Sequence, residues 1–88
     1  MVKDTVVVKN ETGLHARPAS MLVEEASSYE ADVELVKDGQ SVNAKSIMGV
    51  MSLGIKQSTE ITVQTDGADE KDALTAIIEL IESGFDEE

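Results

Sequence analysis

Residues 32–42 read Asp32-Val33-Glu34-Leu35-Val36-Lys37-Asp38-Gly39-Gln40-Ser41-Val42. Val33 and Leu35 alternate with Asp32 and Glu34, the period-two pattern of a strand with one buried face. Asp38-Gly39 is a strong hairpin signal, because both central positions of a tight two-residue turn need positive φ. Val42 continues in the returning strand, so the two strands run antiparallel. Toward the N-terminus, Ala16, Ala19, Leu22, Val23 and Ala26 recur at three- and four-residue steps, which predicts an amphipathic helix from Ala16 to about Ser28. Pro18 fits only in its first turn. Before it, the β-branched run Thr5-Val6-Val7-Val8 predicts a strand that ends in the polar stretch Lys9–Gly13. Toward the C-terminus, Ser46–Leu53 has a short helical pattern with Ser46 as N-cap and Gly54 as stop. Ile61 and Val63 alternate with Thr62 and Gln64 in a fourth strand that ends near Asp66-Gly67. Asp69 then caps a last helix with Leu74, Ile77, Ile78 and Ile81 on one stripe, stopped by Gly84.

The element order is therefore βαββαβα. A helix separates the first strand from the second, and a right-handed crossover leaves a gap between them that the fourth can fill. The expected fold is α+β, an open-faced β-sandwich with a four-stranded antiparallel sheet ordered 1-4-2-3 and three helices on one face. Residues 1–88 are expected to form a single domain.

Composition narrows the function. Eighteen Asp and Glu stand against seven Lys and Arg, a formal net charge of −11, and the chain closes on Asp86-Glu87-Glu88. Such a surface keeps a protein soluble and monomeric. It also suits a cytosol of high ionic strength, where screening over about 3 Å at 1 M salt makes self-repulsion tolerable. Nucleic acid is disfavoured, since the field has the wrong sign and only Tyr29 and Phe85 could stack on bases. Without cysteine there is no disulfide framework, thiolate nucleophile or zinc–thiolate site. A single histidine also excludes two-histidine metal sites, so no metal is expected. No apolar run reaches the roughly 18–20 residues of a membrane span, and no signal-peptide core is visible. A soluble cytoplasmic protein without membrane insertion is the expectation.

The only His, Arg and Pro lie together in His15-Ala16-Arg17-Pro18. Gly13 lets the chain turn sharply, placing His15 at or beside the helix N-cap with Ala16 and Arg17 in the first turn. Their backbone N–H groups have no acceptor within the helix. The positive end of the helix dipole disfavours imidazolium and leaves a ring nitrogen free as a nucleophile. Were that nitrogen to carry a phosphoryl group, the amides of Ala16 and Arg17 would point at its oxygens, and the Arg17 guanidinium would match them two at a time. Nucleophile, amides and cation are what phosphoryl transfer to and from a histidine needs. A plainer alternative makes His15 a polar residue at a helix start and Arg17 a surface charge. No GxSxG elbow, GxxxxGK[ST] loop, GxGxxG loop or patterned carboxylate pair competes.

Gly13-Leu14-His15-Ala16-Arg17-Pro18-Ala19 and Lys45-Ser46-Ile47-Met48-Gly49-Val50-Met51-Ser52-Leu53-Gly54 together resemble HPr, the histidine-containing phosphocarrier family of the phosphoenolpyruvate-dependent sugar phosphotransferase system. The resemblance covers the whole chain in length, element order and both motifs. It implies that enzyme I passes a phosphoryl group from phosphoenolpyruvate to Nδ1 of His15, and that the chain hands it to the A domain of a sugar-specific enzyme II. Arg17 would neutralise the phosphoryl oxygens, with the Ala16 amide beside it. Such a chain is a covalent carrier rather than an enzyme, and it uses no cofactor. The second motif is similar to forms from low-GC Gram-positive bacteria, whose serine is a regulatory site. This implies phosphorylation of Ser46 by HPr kinase/phosphorylase, readout by catabolite control protein A, and a part in carbon catabolite repression. In the family, the positions of Ser20, Ile47, Met48 and Met51 belong to the shared docking surface.

Read as residues alone, Ser46 is complete as a helix cap, and Ile47, Met48 and Met51 could be core. Yet Val50 and Leu53 form a second apolar line, and a two-turn helix cannot bury every side, which leaves part of the set exposed as a docking patch. One departure from the family is the loss of lysines at the positions of Glu24 and Ser27. Arg17 and Lys45 then remain as the expected nearby cations, so docking should lean on apolar contact. Competing roles are a carrier for a nitrogen-related or dihydroxyacetone branch and a serine-regulated catabolite-repression cofactor; relatives of the latter kind lack the histidine. A ferredoxin-like RNA- or metal-binding domain is disfavoured by charge, few aromatics and missing ligands.

Overall fold

Asp38 and Gly39 both hold positive φ, 51° and 79°, the turn geometry whose twist matches the flanking strands. They join β2 (Asp32–Lys37) to β3 (Gln40–Asn43) antiparallel, with Leu35 opposite Val42. β1 (Val2–Val7) and β4 (Glu60–Asp66) complete one sheet, in which β4 lies between β1 and β2 and every neighbour is antiparallel. The order is β1-β4-β2-β3, as expected from the crossover argument. Three α-helices, α1 (Ala16–Ser27), α2 (Ile47–Ser52) and α3 (Glu70–Glu82), and a short 3₁₀ turn at Gly84–Asp86 complete the chain. This computed structural model describes residues 1–86, so Glu87 and Glu88 of the acidic close lie outside the described residues.

The alternation in the strands sorts them into a covered and an open face. Val33, Leu35, Ile61 and Val63 are buried under the helices, while Asp32, Glu34 and Ser41 remain exposed. Leu22 and Ala26 of α1, Val50 of α2 and Ile77 and Ile81 of α3 close the core from above and are fully buried. Each large apolar side chain so buried contributes roughly 1.5–3 kcal/mol relative to exposure, which is the main force holding the helices to the sheet.

Several details differ from the sequence-based expectation. β1 begins at Val2 instead of Thr5 and ends at Val7. Val8 lies just beyond it but is buried, with its amide bonded to the Thr59 carbonyl (2.9 Å) and its carbonyl to the Ser58 amide (2.7 Å). β1 is an edge strand, and in its first half Lys3 and Asp4 stay exposed and give no alternating signal. Ala16 is exposed, and α1 buries Pro18, Ala19, Leu22 and Ala26 instead. In α3 the fully buried row is Ala73, Ile77 and Ile81, with Leu74 and Ile78 half-buried along its flank.

Asp69 occupies the N-cap of α3 but makes no side-chain cap there. Its carboxylate accepts instead from the amides of Glu30 (3.0 Å) and Ala31 (2.8 Å), tying the entry of β2 to the start of α3. Those two bonds hold the Asp69 carboxyl below its ordinary value of 3.8. Phe85 is fully buried and Tyr29 is half-buried.

Candidate functional site

Two loops converge at the head of α1. Gly13 has φ +64°, and a side chain there would overlap the Ile55 carbonyl and lie 2.8 Å from Lys56 Cα. Only glycine allows so close a crossing with that backbone shape. The next amide, Leu14, donates to the Ile55 carbonyl at 3.0 Å. From the other side, the Asn10 side-chain amide donates to the Gly13 carbonyl (2.7 Å) and the Thr12 hydroxyl (3.1 Å). The segment that delivers His15 is therefore pinned by hydrogen bonds on both flanks.

His15 is the N-cap of α1, with extended backbone (φ −79°, ψ −174°) and no side-chain cap bond. Its ring is exposed and its carbonyl accepts the first helical bond, from Ala19 at 2.8 Å. Pro18 has no N–H, so the free donors of the first turn are Ala16 and Arg17, neither of which finds an acceptor among the described residues. Arg17 is exposed and Ser20 lies one turn further on, also exposed. His15, two free amides and Arg17 thus sit within one helical turn.

α2 packs against α1, and its C-terminal end brings Met51 beside His15. Ser46 caps it, its hydroxyl accepting from the Gly49 amide at 3.1 Å. Val50 and Leu53 are buried, whereas Ile47 is 42% exposed, Met48 84% and Met51 42%. The apolar set therefore divides between core and surface. Met51 lines an open depression together with Leu14, His15, Ile55 and Lys56.

Lys45 is not a neighbouring cation of His15. Its ammonium donates to the Tyr29 carbonyl at 2.9 Å, just past the C-terminal end of α1. His15 sits at the opposite end of that helix, roughly 18 Å away at 1.5 Å per residue. A lysine that can reach a bare helix C-terminus is held by the carbonyls there. Lys37 is engaged likewise, donating to the Leu53 carbonyl at 3.1 Å. The lysine beside His15 is Lys56, which sequence reasoning did not single out. Its only signal is the positive-φ glycine at 13, which foretells a close backbone approach without naming the partner.

A family model described as the PTS HPr component phosphorylation site matches residues 2–83. The chain belongs to the HPr family. HPr from Thermoanaerobacter tengcongensis is 48% identical, with a TM-score of 0.97 over 100% of this chain and 99% of that one. Phosphocarrier protein HPr from Bacillus anthracis is 46% identical, with a TM-score of 0.88 over 91% and 95% of the two chains. Crh, a Bacillus subtilis catabolite repression protein whose crystal structure is a domain-swapped dimer, is 46% identical, with a TM-score of 0.78 over 96% and 97%. Membership makes a phosphocarrier of the phosphotransferase system the chain's family role. Among the described residues of this HPr, no helix is long and apolar enough to cross a membrane, and no group of three or more His, Cys, Asp or Glu could hold a metal ion.

Proposed function

We propose that this HPr is a cytoplasmic phosphocarrier that accepts a phosphoryl group from enzyme I on Nδ1 of His15 and delivers it to the A domain of a sugar-specific enzyme II. The observation that carries this reading is an exposed, uncapped imidazole at the head of α1, beside two free amides and Arg17. In the loading step the nitrogen lone pair attacks phosphorus as the bond from phosphorus to the donor breaks, and that electron pair stays with the donor. Delivery reverses the roles. The chain exchanges no other atoms and ends the cycle unchanged, so it is a carrier and not an enzyme with turnover of its own. Charge spreads over the phosphoryl oxygens during transfer, and the Ala16 and Arg17 amides with the Arg17 guanidinium meet it.

Ser20, Ile47, Met48 and Met51 form the docking face. Flexible methionines adapt to several partners in turn, as a relay requires. Ser46 is the regulatory site, phosphorylated by HPr kinase/phosphorylase and read by catabolite control protein A. Charge of about −2 added at the positive end of α2 is electrostatically tolerable there, so the fold survives and the change lies at the docking face.

A second reading, a serine-regulated cofactor without histidine transfer, is favoured by the likeness to Crh. Loading with labelled phosphoenolpyruvate and enzyme I separates the two. Wild type should gain an acid-labile, base-stable label that His15→Ala lacks. No label on wild type, with enzyme I active on another HPr, would leave the serine-regulated reading in place.

A further inference from the structure

The carrier reading leaves a charge imbalance at His15. A phosphoryl group brings a charge of about −2. The first turn of α1 offers two amides, because Pro18 has none, and a single guanidinium. The rest of the molecule works against the group, with a formal net charge of −11. Lys45 is bound to a carbonyl at the far end of α1, and Lys37, at the rim of the depression, is already engaged by the Leu53 and Gly54 carbonyls at 3.1 and 3.5 Å.

Lys56 is placed differently. Its backbone packs against Gly13, two residues from His15, at a crossing held by the bond from Leu14 to Ile55. It lines the open depression that contains His15 and Met51. The residue is exposed, and among the described residues its ammonium has no ion-pair or hydrogen-bond partner. Arg17 stands on α1 and Lys56 on the loop after α2, so the two cations come from different elements.

We propose that Lys56 is the second cation of the His15 site, its ammonium meeting the phosphoryl oxygens once the ring is phosphorylated. It forms and breaks no covalent bond, and it contributes charge only. The proposal rests on phosphoryl acceptance at His15, and its test does not depend on enzyme I.

Phosphoramidate, a chemical donor, places the phosphoryl group on wild type, Lys56→Gln and Lys56→Arg, with His15→Ala as the blank. The phosphorus NMR signal is then followed against pH. A cation meeting the oxygens at about 4 Å in water-like surroundings should shift the phosphoryl group's titration by roughly three-quarters of a pH unit. The Lys56→Gln midpoint should lie higher by that amount, Lys56→Arg should restore it, and 1 M salt should remove the difference. Coincident midpoints in folded wild type and Lys56→Gln overturn the assignment. Failure of Lys56→Arg to restore the midpoint also overturns it, since a loss of packing would then explain the change. Labelling by phosphoramidate but not by enzyme I would sink the carrier reading while the midpoints still decide Lys56. A His15 that neither reagent modifies overturns both.

Discussion

In the function proposed above, Ser46 serves fold and regulation at once. Its hydroxyl satisfies the Gly49 amide at the head of a helix of only six residues. Ser46→Ala should cost about 1 kcal/mol, the usual worth of such a cap. In a domain of this size that lowers the melting temperature by about 4–8 °C, measurable by thermal circular dichroism. An unchanged melting temperature would mean that solvent replaces the cap. Ser46, Gly13 and His15 were legible in the sequence because caps and tight turns are decided by a few consecutive residues. Lys45 and Lys56 were not. Which carbonyl a lysine reaches, or which glycine its backbone crosses, depends on elements far apart in the chain, and no local pattern records it.

At the scale of elements, α2 is the informative one. Apolar almost all round, it buries Val50 and Leu53 and leaves Met48 the most exposed of its large apolar side chains at 84%. Met48→Asp should therefore leave the melting temperature within a degree or two while weakening docking to enzyme I about tenfold, the effect of removing one good apolar anchor. Titration calorimetry against enzyme I would measure it. Unfolding by Met48→Asp would show that this side chain belongs to the core after all. The division of α2 into two faces could be anticipated from its length, but not which methionine faces water. α3 makes the same point. Its stripe was legible, yet the sheet is met by the row through Ala73 because the small side chain lets the helix approach closely, turning Leu74 and Ile78 to the flank.

For the whole molecule, the hairpin at Asp38-Gly39 and one crossover were enough to order the sheet, because handedness and strand pairing leave few other arrangements. What ties its ends together lay beyond local pattern. Asp69 was legible as a helix start, but its bonds to Glu30 and Ala31 span nearly half the chain. Its carboxyl binds a proton less readily in the folded state than in the unfolded one, so acid favours unfolding. The stability it contributes is fully present above its ordinary value of 3.8 and is lost as pH falls through that value toward the lower folded one. Asp69→Asn should lower the melting temperature at neutral pH and flatten its decline in acid, as a melting series across pH would show. A decline as steep as in wild type would mean that other carboxyls govern acid unfolding. Carrying, as distinct from being modified, is likewise a property of the whole surface, since one site must fit donor and acceptor in turn. The most direct test is a chase: the chain is loaded with labelled phosphoryl group, freed of enzyme I, and mixed with an excess of an enzyme II A domain. The carrier reading predicts that the label moves to the A domain within the mixing time of a turnover assay, leaving His15 bare. Label that stays on the chain, or is lost only to water, would contradict it.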